Sequence, residues 1–311
     1  MKIIFMGTPA FSVKILDKIN KEHEVVMVVT QPDSFNYRKK IYTYSPVKEY
    51  ALSHNLEVFQ PVKLKDEMDK VLSTPCDLIV TAAYGQFVPS KILDYPKYKA
   101  INVHGSLLPK RRGGAPIQRA LIEGDKETGI TIMYMAKKMD AGDIIKMESL
   151  PILDSDNQET LFDRLSTLGS EMILDVISSI EKGTVNPIKQ DENEATFSLN
   201  LTKEDEIVDF SKSARDIFNQ IRGLSPNPGG YFIIDNVQIK VYNSRVENKT
   251  TGYEAACICG VYKDHFEVAC KGGSVISILE VQPPSKNRMS ARDFLNGSGK
   301  KLIILGKKIG E

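Results

Sequence analysis

Three polar residues of the sequence combine side chains that suit the transfer of an acyl group. Asn102 and His104 are two positions apart in an apolar run, so in a strand both side chains lie on the same side. An Asn amide and a protonated His can each donate a hydrogen bond to a developing oxyanion, and the carboxylate of Asp140 can hold the His charge or take up a proton. These residue types predict acyl chemistry without a nucleophile from the protein.

The sequence offers no evident covalent nucleophile or metal centre for this chemistry. It contains no G-x-S-x-G turn, and no cysteine adjoins His104. Cys257 and Cys259 form a C-x-C pair, but neither a second cysteine pair nor a nearby His pair completes a tetrahedral shell, so we predict no metal site. The residue types alone leave acyl transfer, hydrolysis and simple binding open.

Predicted strands and helices alternate over the first part of the chain, which favours a parallel sheet covered on both faces. Thr8-Pro9 and Ser45-Pro46 both predict helix starts, with the hydroxyl residue as the cap and proline at the first helical position. Ligands of such sheets lie at the carboxyl ends of the strands, where Asn102 and His104 are found. The predicted strands cover residues 2–6, 25–30, 78–83, 100–103 and 129–135.

The rest of the chain predicts a second domain. Apolar spacing over residues 160–181 indicates a long amphipathic helix, and a polar, acidic stretch follows it. About five closely spaced β-rich runs then suggest a small barrel. Because 311 residues exceed what one core usually organises, we predict an α/β protein with two domains. These are a Rossmann-like domain with a mostly parallel sheet at 1–189, a linker at 190–207 and an OB-like β-barrel domain at 208–311.

The composition is that of a soluble globular protein. Hydrophobic residues make up 41% and charged residues 26% of the chain, which excludes general disorder. The N-terminus lacks the apolar region of a secretory signal, and no window approaches the length of a membrane span. Four cysteines are too few for a disulfide framework. We therefore expect a cytoplasmic protein without membrane contact.

The net charge of +1 conceals an uneven distribution. Residues 1–205 carry a net charge of −3, and residues 206–311 carry +4. Short basic runs also lie in predicted loops, among them Arg38-Lys39-Lys40 and Lys110-Arg111-Arg112. The second run adjoins the three polar residues, where positive charge favours a polyanionic substrate.

Longer segments around these residues form a specific pattern. Asn102 and His104 lie in NVHGSLLPKRRGGAPIQRALIEGDKETGITIMYM, and Asp140 lies in MDAGD. Other segments are FMGTPAFS, AAYGQFVPSKIL, ETLFDRLSTLGSEMIL and IRGLSPNPGG. Together they resemble the 10-formyltetrahydrofolate-dependent formyltransferases over essentially the whole chain. The resemblance implies that Asn102, His104 and Asp140 are the catalytic triad.

The resemblance also implies the substrates. The formyl group of 10-formyltetrahydrofolate would pass to the α-amino group of the methionine on initiator tRNA. Asn102 and His104 would stabilise the oxyanion, and Asp140 would keep His104 protonated and help to move a proton through water. The expected partners are the folate and the tRNA, and we expect a monomer. The implied folate pocket comprises Gln86, Phe87, Val88, Pro89, Ser106, Leu107, Leu108, Pro109, Met139, Ala141, Gly142 and Asp143.

Basic residues near the predicted site are expected to bind the tRNA. They are Arg38, Lys39, Lys40, Lys110, Arg111 and Arg112. The family usually has a Gly-rich basic loop of the GRGKK type against the acceptor arm, whereas this chain has SFNYRKKIYT. The glycines are absent and the charge is retained. A solvated loop without a tRNA contact remains an alternative for this segment.

Three other functions remain open. The chain resembles sugar-amine formyltransferases in the same core, although GAPIQRA, SPVK and the basic C-terminal part favour tRNA as the acceptor. A formyltetrahydrofolate deformylase would use water in place of the amine. That family usually carries an N-terminal regulatory domain, and this chain begins at its first predicted strand. A non-catalytic RNA-binding module would need only the barrel, and the triad argues against it.

Overall fold

The structure is a computed structural model that describes residues 1–36 and 40–310. Two compact units are present. Unit 1 comprises Glu127–Pro151, Phe162–Leu199 and the described part of Met1–Pro116; unit 2 comprises Ile117–Lys126, Ile152–Leu161 and the described residues from Asn200 onward. Among these residues, no helix combines the length and the apolar character needed to cross a lipid bilayer.

The first part of the chain forms one large sheet, a small hairpin of β3 and β4, and several helices. The strands are β1 (Lys2–Gly7), β2 (Glu24–Val29), β3 (Ser34–Asn36), β4 (Ile41–Thr43), β5 (Val58–Phe59), β6 (Leu78–Ala82), β7 (Ala100–His104), β8 (Glu127–Tyr134) and β9 (Ile144–Pro151). The helices are α1 (Ala10–Glu22), α2 (Pro46–Ser53), α3 (Met68–Leu72), α4 (Ser90–Leu93), α5 (Pro116–Ile122) and α6 (Gln158–Lys182).

The large sheet has the strand order β5-β2-β1-β6-β7-β8-β9. The strands from β5 to β7 pair in parallel, and β8 and β9 continue the sheet in antiparallel pairing. The prediction of a mostly parallel sheet is confirmed. Two features differ from the expectation: β8 runs antiparallel to β7, and β9 was not predicted. β9 is an edge strand with few buried side chains and no continuous apolar run, so the sequence pattern does not identify it.

Local signals explain one of the two predicted helix starts. The Ser45 hydroxyl accepts a hydrogen bond from the backbone N–H of Lys48 at 3.1 Å, and Pro46 is the first residue of α2. The prediction that Thr8 caps α1 is wrong. Its hydroxyl donates to the carbonyl of Tyr84 at 2.9 Å, so a tertiary hydrogen bond replaces the cap.

Unit 2 contains an antiparallel sheet and two further helices in its described residues. The strands are β10 (Gly230–Ile234), β11 (Val237–Thr250), β12 (Ile258–Val261), β13 (Phe266–Ala269), β14 (Ser274–Gln282) and β15 (Met289–Ser290). The helices are α7 (Ala214–Leu224) and α8 (Ala291–Asn296). The sheet follows the path β10-β11-β14-β13-β12, with β15 paired to β14. A second unit of antiparallel strands confirms the predicted fold class.

Residues 306–310 connect the two ends of this path. Gly306 N–H donates to the Ile258 carbonyl on β12, and Ile258 N–H donates to the Lys307 carbonyl, both at 2.8 Å. Gly310 N–H then donates to the carbonyl of Ile233 on β10, also at 2.8 Å. This terminal segment supplies partners to both edge strands, as closure of a barrel requires.

Two neighbouring residues of β10 should differ sharply in how much they stabilise unit 2. Phe232 is buried and meets the rings of Phe210 and Phe266 edge-on, whereas Ile233 is exposed. Phe232→Ala should lower the free energy of unfolding by about 3 to 5 kcal/mol, because it leaves a cavity. Ile233→Ala is the control and should change it by less than about 0.5 kcal/mol. Chemical denaturation followed by circular dichroism measures both, and equal effects would contradict this description of the core.

Candidate active site

Asn102 lies on β7, and a neighbouring strand fixes its side-chain amide. Thr81 of β6 pairs with Asn102 in the parallel register, and its hydroxyl donates to Asn102 Oδ1 at 2.8 Å. Because the carbonyl oxygen is held in this way, the NH₂ group is directed elsewhere. No hydrogen bond to another described residue uses Asn102 Nδ2, so this donor is available for a ligand.

His104 ends β7 and is buried, with both ring nitrogens facing oxygen atoms. Nε2 lies 3.2 Å from the carbonyl oxygen of Arg111, and Nδ1 lies 3.8 Å from Asp140 Oδ2. A carbonyl can only accept, so Nε2 carries a hydrogen. Nδ1 is then the nitrogen that faces the Asp140 carboxylate.

Asp140 reaches His104 by a route that differs from the expectation of parallel strands. The antiparallel register pairs Ile101 with Tyr134, so β8 ends beside the start of β7, and the chain returns to His104 through residues 135–143. Asp140 has a left-handed backbone with φ of 49°. The backbone N–H of Gly113 donates to Asp140 Oδ2 at 2.8 Å and orients the carboxylate.

The arrangement brings two hydrogen-bond donors and one carboxylate together. Asn102 Nδ2 and His104 Nδ1 can donate to an oxygen atom that gains negative charge, and Asp140 can balance the charge of the imidazolium. Cys76 is the only cysteine before residue 257, and burial raises the pKa of its thiol to about 11. That thiol stays protonated and is a poor nucleophile. The geometry thus suits attack by a substrate group on a bound acyl carbon.

Residues 106–109, predicted to meet the folate, form a tightly held loop. Ser106 and Leu108 are buried, and the Ser106 hydroxyl donates to the Lys110 carbonyl at 2.8 Å. The hydroxyl of Thr131 on β8 donates to the Ser106 carbonyl and accepts from the Leu108 N–H. Leu107 and Pro109 keep partial exposure. A ligand at this loop would therefore meet mainly backbone and the Leu107 side chain.

The other two segments of the predicted pocket each present one exposed apolar side chain. Phe87 and Met139 are both 66% exposed, which suits contact with a planar ring. Gln86 is held by backbone groups, since its Oε1 accepts from Leu64 N–H at 2.8 Å. Val88 is buried, Pro89 is partly buried, and Ala141 and Asp143 have intermediate exposure. At Gly142 an added Cβ would lie 1.7 Å from the Tyr134 carbonyl oxygen, so only glycine fits.

Comparison with protein families decides the class of this site. The model described as formyl transferase matches residues 1–177, and the model of the formyl transferase C-terminal domain matches residues 200–299. This chain belongs to the formyltransferase family.

Curated relatives align with this formyltransferase over nearly its full length. The methionyl-tRNA formyltransferase of Latilactobacillus sakei subsp. sakei (strain 23K) is 46% identical over 305 residues, which is 97% of this chain and 96% of the relative. The methionyl-tRNA formyltransferase of Staphylococcus aureus (strain bovine RF122 / ET3-1) is 45% identical over 310 residues, which is 99% of each protein.

Solved structures share the fold at lower identity. WlaRD, a sugar 3N-formyl transferase solved in the presence of dTDP and 5-N-formyl-THF, has a TM-score of 0.69 and 21% identity, covering 92% of this formyltransferase and 99% of that chain. An N-formyltransferase from Helicobacter canadensis, solved with folinic acid and dTDP-3-aminofucose, has a TM-score of 0.69 and 20% identity, covering 91% and 99%. These similarities concern the fold.

The basic residues that were predicted to bind tRNA differ in their exposure to solvent. Arg38 and Lys39 lie outside the described residues. Lys40 and Lys110 are exposed, and Arg111 is partly buried. Arg112 requires a correction: its side chain has no exposed surface, and its guanidinium binds Gln190 and Glu192 at 2.8 Å each. A phosphate cannot reach a group that is enclosed in this way.

Sequence reasoning missed the residues that hold the triad in place. Thr81 orients Asn102, and Thr131 holds the loop after His104. Thr81 is the single hydroxyl residue of LIVTA in β6, and Thr131 lies between two isoleucines in ETGITIMY of β8. A buried hydroxyl needs a hydrogen-bond partner, so each was a signal, although the partner cannot be read from spacing.

Because Asn102 is expected to donate a hydrogen bond in the transition state, its removal should slow the chemical step and leave substrate binding unchanged. Asn102→Ala should lower kcat for formyl transfer by about 10² to 10³, since it removes one donor to the oxyanion, while KM changes little. Asn186→Ala, on the surface of unit 1, is the control. Steady-state kinetics measures both parameters. If KM rose and kcat stayed constant, Asn102 would bind substrate and would not stabilise the transition state.

Proposed function

We infer that this formyltransferase moves the formyl group of 10-formyltetrahydrofolate to the α-amino group of methionine on initiator tRNA, giving N-formylmethionyl-tRNA for translation initiation. The observation that carries the inference is the 44% to 46% identity to methionyl-tRNA formyltransferases over nearly the full length. The solved sugar 3N-formyl transferase and the solved N-formyltransferase in complex with dTDP-3-aminofucose are only 21% and 20% identical, so the amino sugar is not the favoured acceptor.

In the proposed reaction, the amine nitrogen attacks the formyl carbon attached to N10 of the folate. A new C–N bond forms, and the formyl oxygen becomes an oxyanion in a tetrahedral intermediate. Asn102 Nδ2 and His104 Nδ1 donate hydrogen bonds to this oxygen, in keeping with the anchoring of Asn102 Oδ1 by Thr81. The bond between the carbon and N10 then breaks, and the formyl group stays on the amine.

We assign Asp140 to the proton transfer that accompanies these steps. The attacking amine loses one proton, and N10 of the leaving folate gains one. Asp140 lies 3.8 Å from His104 Nδ1, so its carboxylate holds the imidazolium and guides the transferred proton through water. The steps use side chains and water, and we include no metal in the mechanism.

The folate donor is assigned to the exposed face near Phe87 and Met139. Solved proteins of the same fold were crystallised with folate compounds, which supports a folate-derived donor. The proposed pocket comprises residues 86–89, 106–109, 139 and 141–143. Exposed apolar side chains at Phe87 and Met139 suit the pterin ring, and the backbone of residues 106–109 suits its polar edge.

We assign the tRNA to five of the six predicted basic residues and to the C-terminal part. Lys40, Lys110 and Arg111 remain in the proposal together with Arg38 and Lys39, whereas Arg112 is excluded by its burial. The net charge of +4 over residues 206–311 supports a contact with phosphates. We assign residues 1–189 to catalysis and 208–311 to tRNA binding, in a cytoplasmic monomer. Of the predicted linker at 190–207, residues 190–199 belong to unit 1 together with the catalytic residues.

The choice of acceptor can be tested directly. The purified protein, given 10-formyltetrahydrofolate, should formylate charged initiator methionyl-tRNA and should leave a nucleotide-linked amino sugar unmodified. Separation of the products and detection of the labelled formyl group measures both. Transfer to the sugar alone would overturn the proposed acceptor, and release of free formate without an acceptor would indicate hydrolysis.

The basic run in residues 38–40 predicts a change in the salt dependence of tRNA binding. Replacing Arg38, Lys39 and Lys40 together with Ala should weaken binding and reduce the slope of log K against log salt by about 0.9 for each phosphate that the protein no longer neutralises. Lys91→Ala, exposed on α4, is the control. Filter binding at several salt concentrations gives the slopes. An unchanged slope would mean that this run does not bind tRNA.

A further inference from the structure

Residues 188–198 follow α6 and lie mostly in the predicted linker, yet they belong to unit 1. We call them the clamp segment. They contact two loops that carry the catalytic groups. Loop 109–114 contains Arg111, whose carbonyl accepts from His104, and loop 136–143 contains Asp140.

The clamp segment pairs with loop 109–114 through backbone hydrogen bonds. Arg112 N–H donates to the Thr196 carbonyl at 2.8 Å, and Ser198 N–H donates to the Arg112 carbonyl at 2.7 Å. The Thr196 hydroxyl also accepts from Arg111 N–H at 2.9 Å. The carbonyl that holds His104 Nε2 therefore belongs to a residue that this segment fixes.

Gly113 allows this close approach. Its φ is 122°, and an added Cβ would lie 2.5 Å from the carbonyl oxygen of Ser198. The same residue donates its N–H to the Asp140 carboxylate. A side chain at this position would separate the clamp segment from the loop and disturb the carboxylate.

The clamp segment also holds loop 136–143, where Gln190 makes the decisive contacts. Gln190 Nε2 donates to the Asp140 carbonyl at 2.9 Å and to the Gly142 carbonyl at 2.7 Å. These bonds act on a residue with a left-handed backbone, a conformation that persists only when its surroundings enforce it. Ile188 and Ile144 add a reciprocal pair of backbone bonds at 2.8 Å.

Arg112 orients Gln190 from the other side. The Arg112 Nε and Nη2 groups donate to Gln190 Oε1 at 3.1 Å and 2.8 Å, so the amide NH₂ must face the Asp140 loop. Arg112 Nη2 also binds Glu192, which in turn binds Lys138 of loop 136–143. Hydrogen bonds from Arg112 and then from Lys138 lower the pKa of Glu192 to about 2, so this bridge stays ionised at neutral pH.

We propose that Gln190 is a positioning residue for the formyl transfer, acting through Asp140. Its amide joins the buried guanidinium of Arg112 to the two carbonyls of the Asp140 loop, and so keeps the carboxylate 3.8 Å from His104 Nδ1. This inference rests on the proposed function, because Asp140 matters only if His104 carries charge in the reaction.

Gln190→Glu tests the proposal with little change of shape. The carboxylate still accepts from Arg112, but it lacks the two hydrogens and repels the carbonyls of Asp140 and Gly142. We expect kcat for methionyl-tRNA formylation to fall about 10-fold to 100-fold, with KM for the tRNA unchanged. Asn186→Asp, at an exposed position of unit 1, makes the same change from amide to carboxylate away from the site and should keep wild-type kinetics.

Measurements in the Asp140→Asn variant distinguish a positioning role of Gln190 from general damage to the fold. If Gln190 acts through Asp140, Gln190→Glu should cost little further rate when Asp140 is already Asn, in single-turnover measurements. The chain has four histidines, so the imidazole signals of His104 can be assigned by NMR. They should move in the same direction in Gln190→Glu as in Asp140→Asn.

Gln190→Met removes the amide without adding charge and should give the same loss of kcat, which excludes an effect of charge alone. Wild-type kcat in both variants, a full additional loss in the Asp140→Asn background, or a rise in KM alone would each overturn the inference. The proposed function is judged separately: if the wild-type protein forms no formylated tRNA in the same assay, that function fails, whereas an active wild type with equally active variants refutes only the role of Gln190.

Discussion

The Arg112 side chain has no exposed surface, yet it carries a full positive charge. A buried guanidinium requires oxygen acceptors around it, because the cost of removing it from water is otherwise prohibitive. Gln190 and Glu192 supply acceptors to its Nε and Nη2 groups from a segment far away in the sequence, while Nη1 has no hydrogen-bond partner among the described residues. These hydrogen bonds bring together loop 109–114, the residues after α6 and the loop of Asp140. The geometry of the triad depends on that requirement, since His104 and Asp140 take their orientation from these loops.

Local sequence patterns predicted most of the strands and helices. Where these predictions failed, tertiary contacts explain the difference. Ser45 caps α2 as its spacing indicated, and its hydroxyl keeps the cap while it also forms a hydrogen bond with the Thr30 hydroxyl at 2.8 Å. Thr8 has the same pattern but donates to Tyr84 across 76 positions of sequence. The apolar runs of β1 and β6 are fully buried apart from Lys2, so periodicity identifies them. β9 exposes one side of an edge strand, and its mixed composition resembles a loop.

The sequence predicted the reacting groups of the candidate site better than it predicted the residues that hold those groups in place. Alternation along β7 placed Asn102 and His104 on one side, and residue type alone proposed the carboxylate of Asp140, which lies 3.8 Å from His104. Charge alone assigned Arg112 to the tRNA, because a run of three basic residues gives no sign that the third is enclosed. Gln190 lies in a polar stretch typical of a linker, and only the fold shows that its amide faces the Asp140 loop.

The hydrogen bonds of residues 306–310 have a consequence for the edges of the sheet in unit 2. Ile258 on β12 exchanges hydrogen bonds with Gly306 and Lys307, and the Ile233 carbonyl on β10 accepts from Gly310. Unpaired edges can recruit strands of other chains. By occupying these backbone groups, residues 306–310 keep both strands from pairing with a second molecule, so this short segment protects the protein against aggregation.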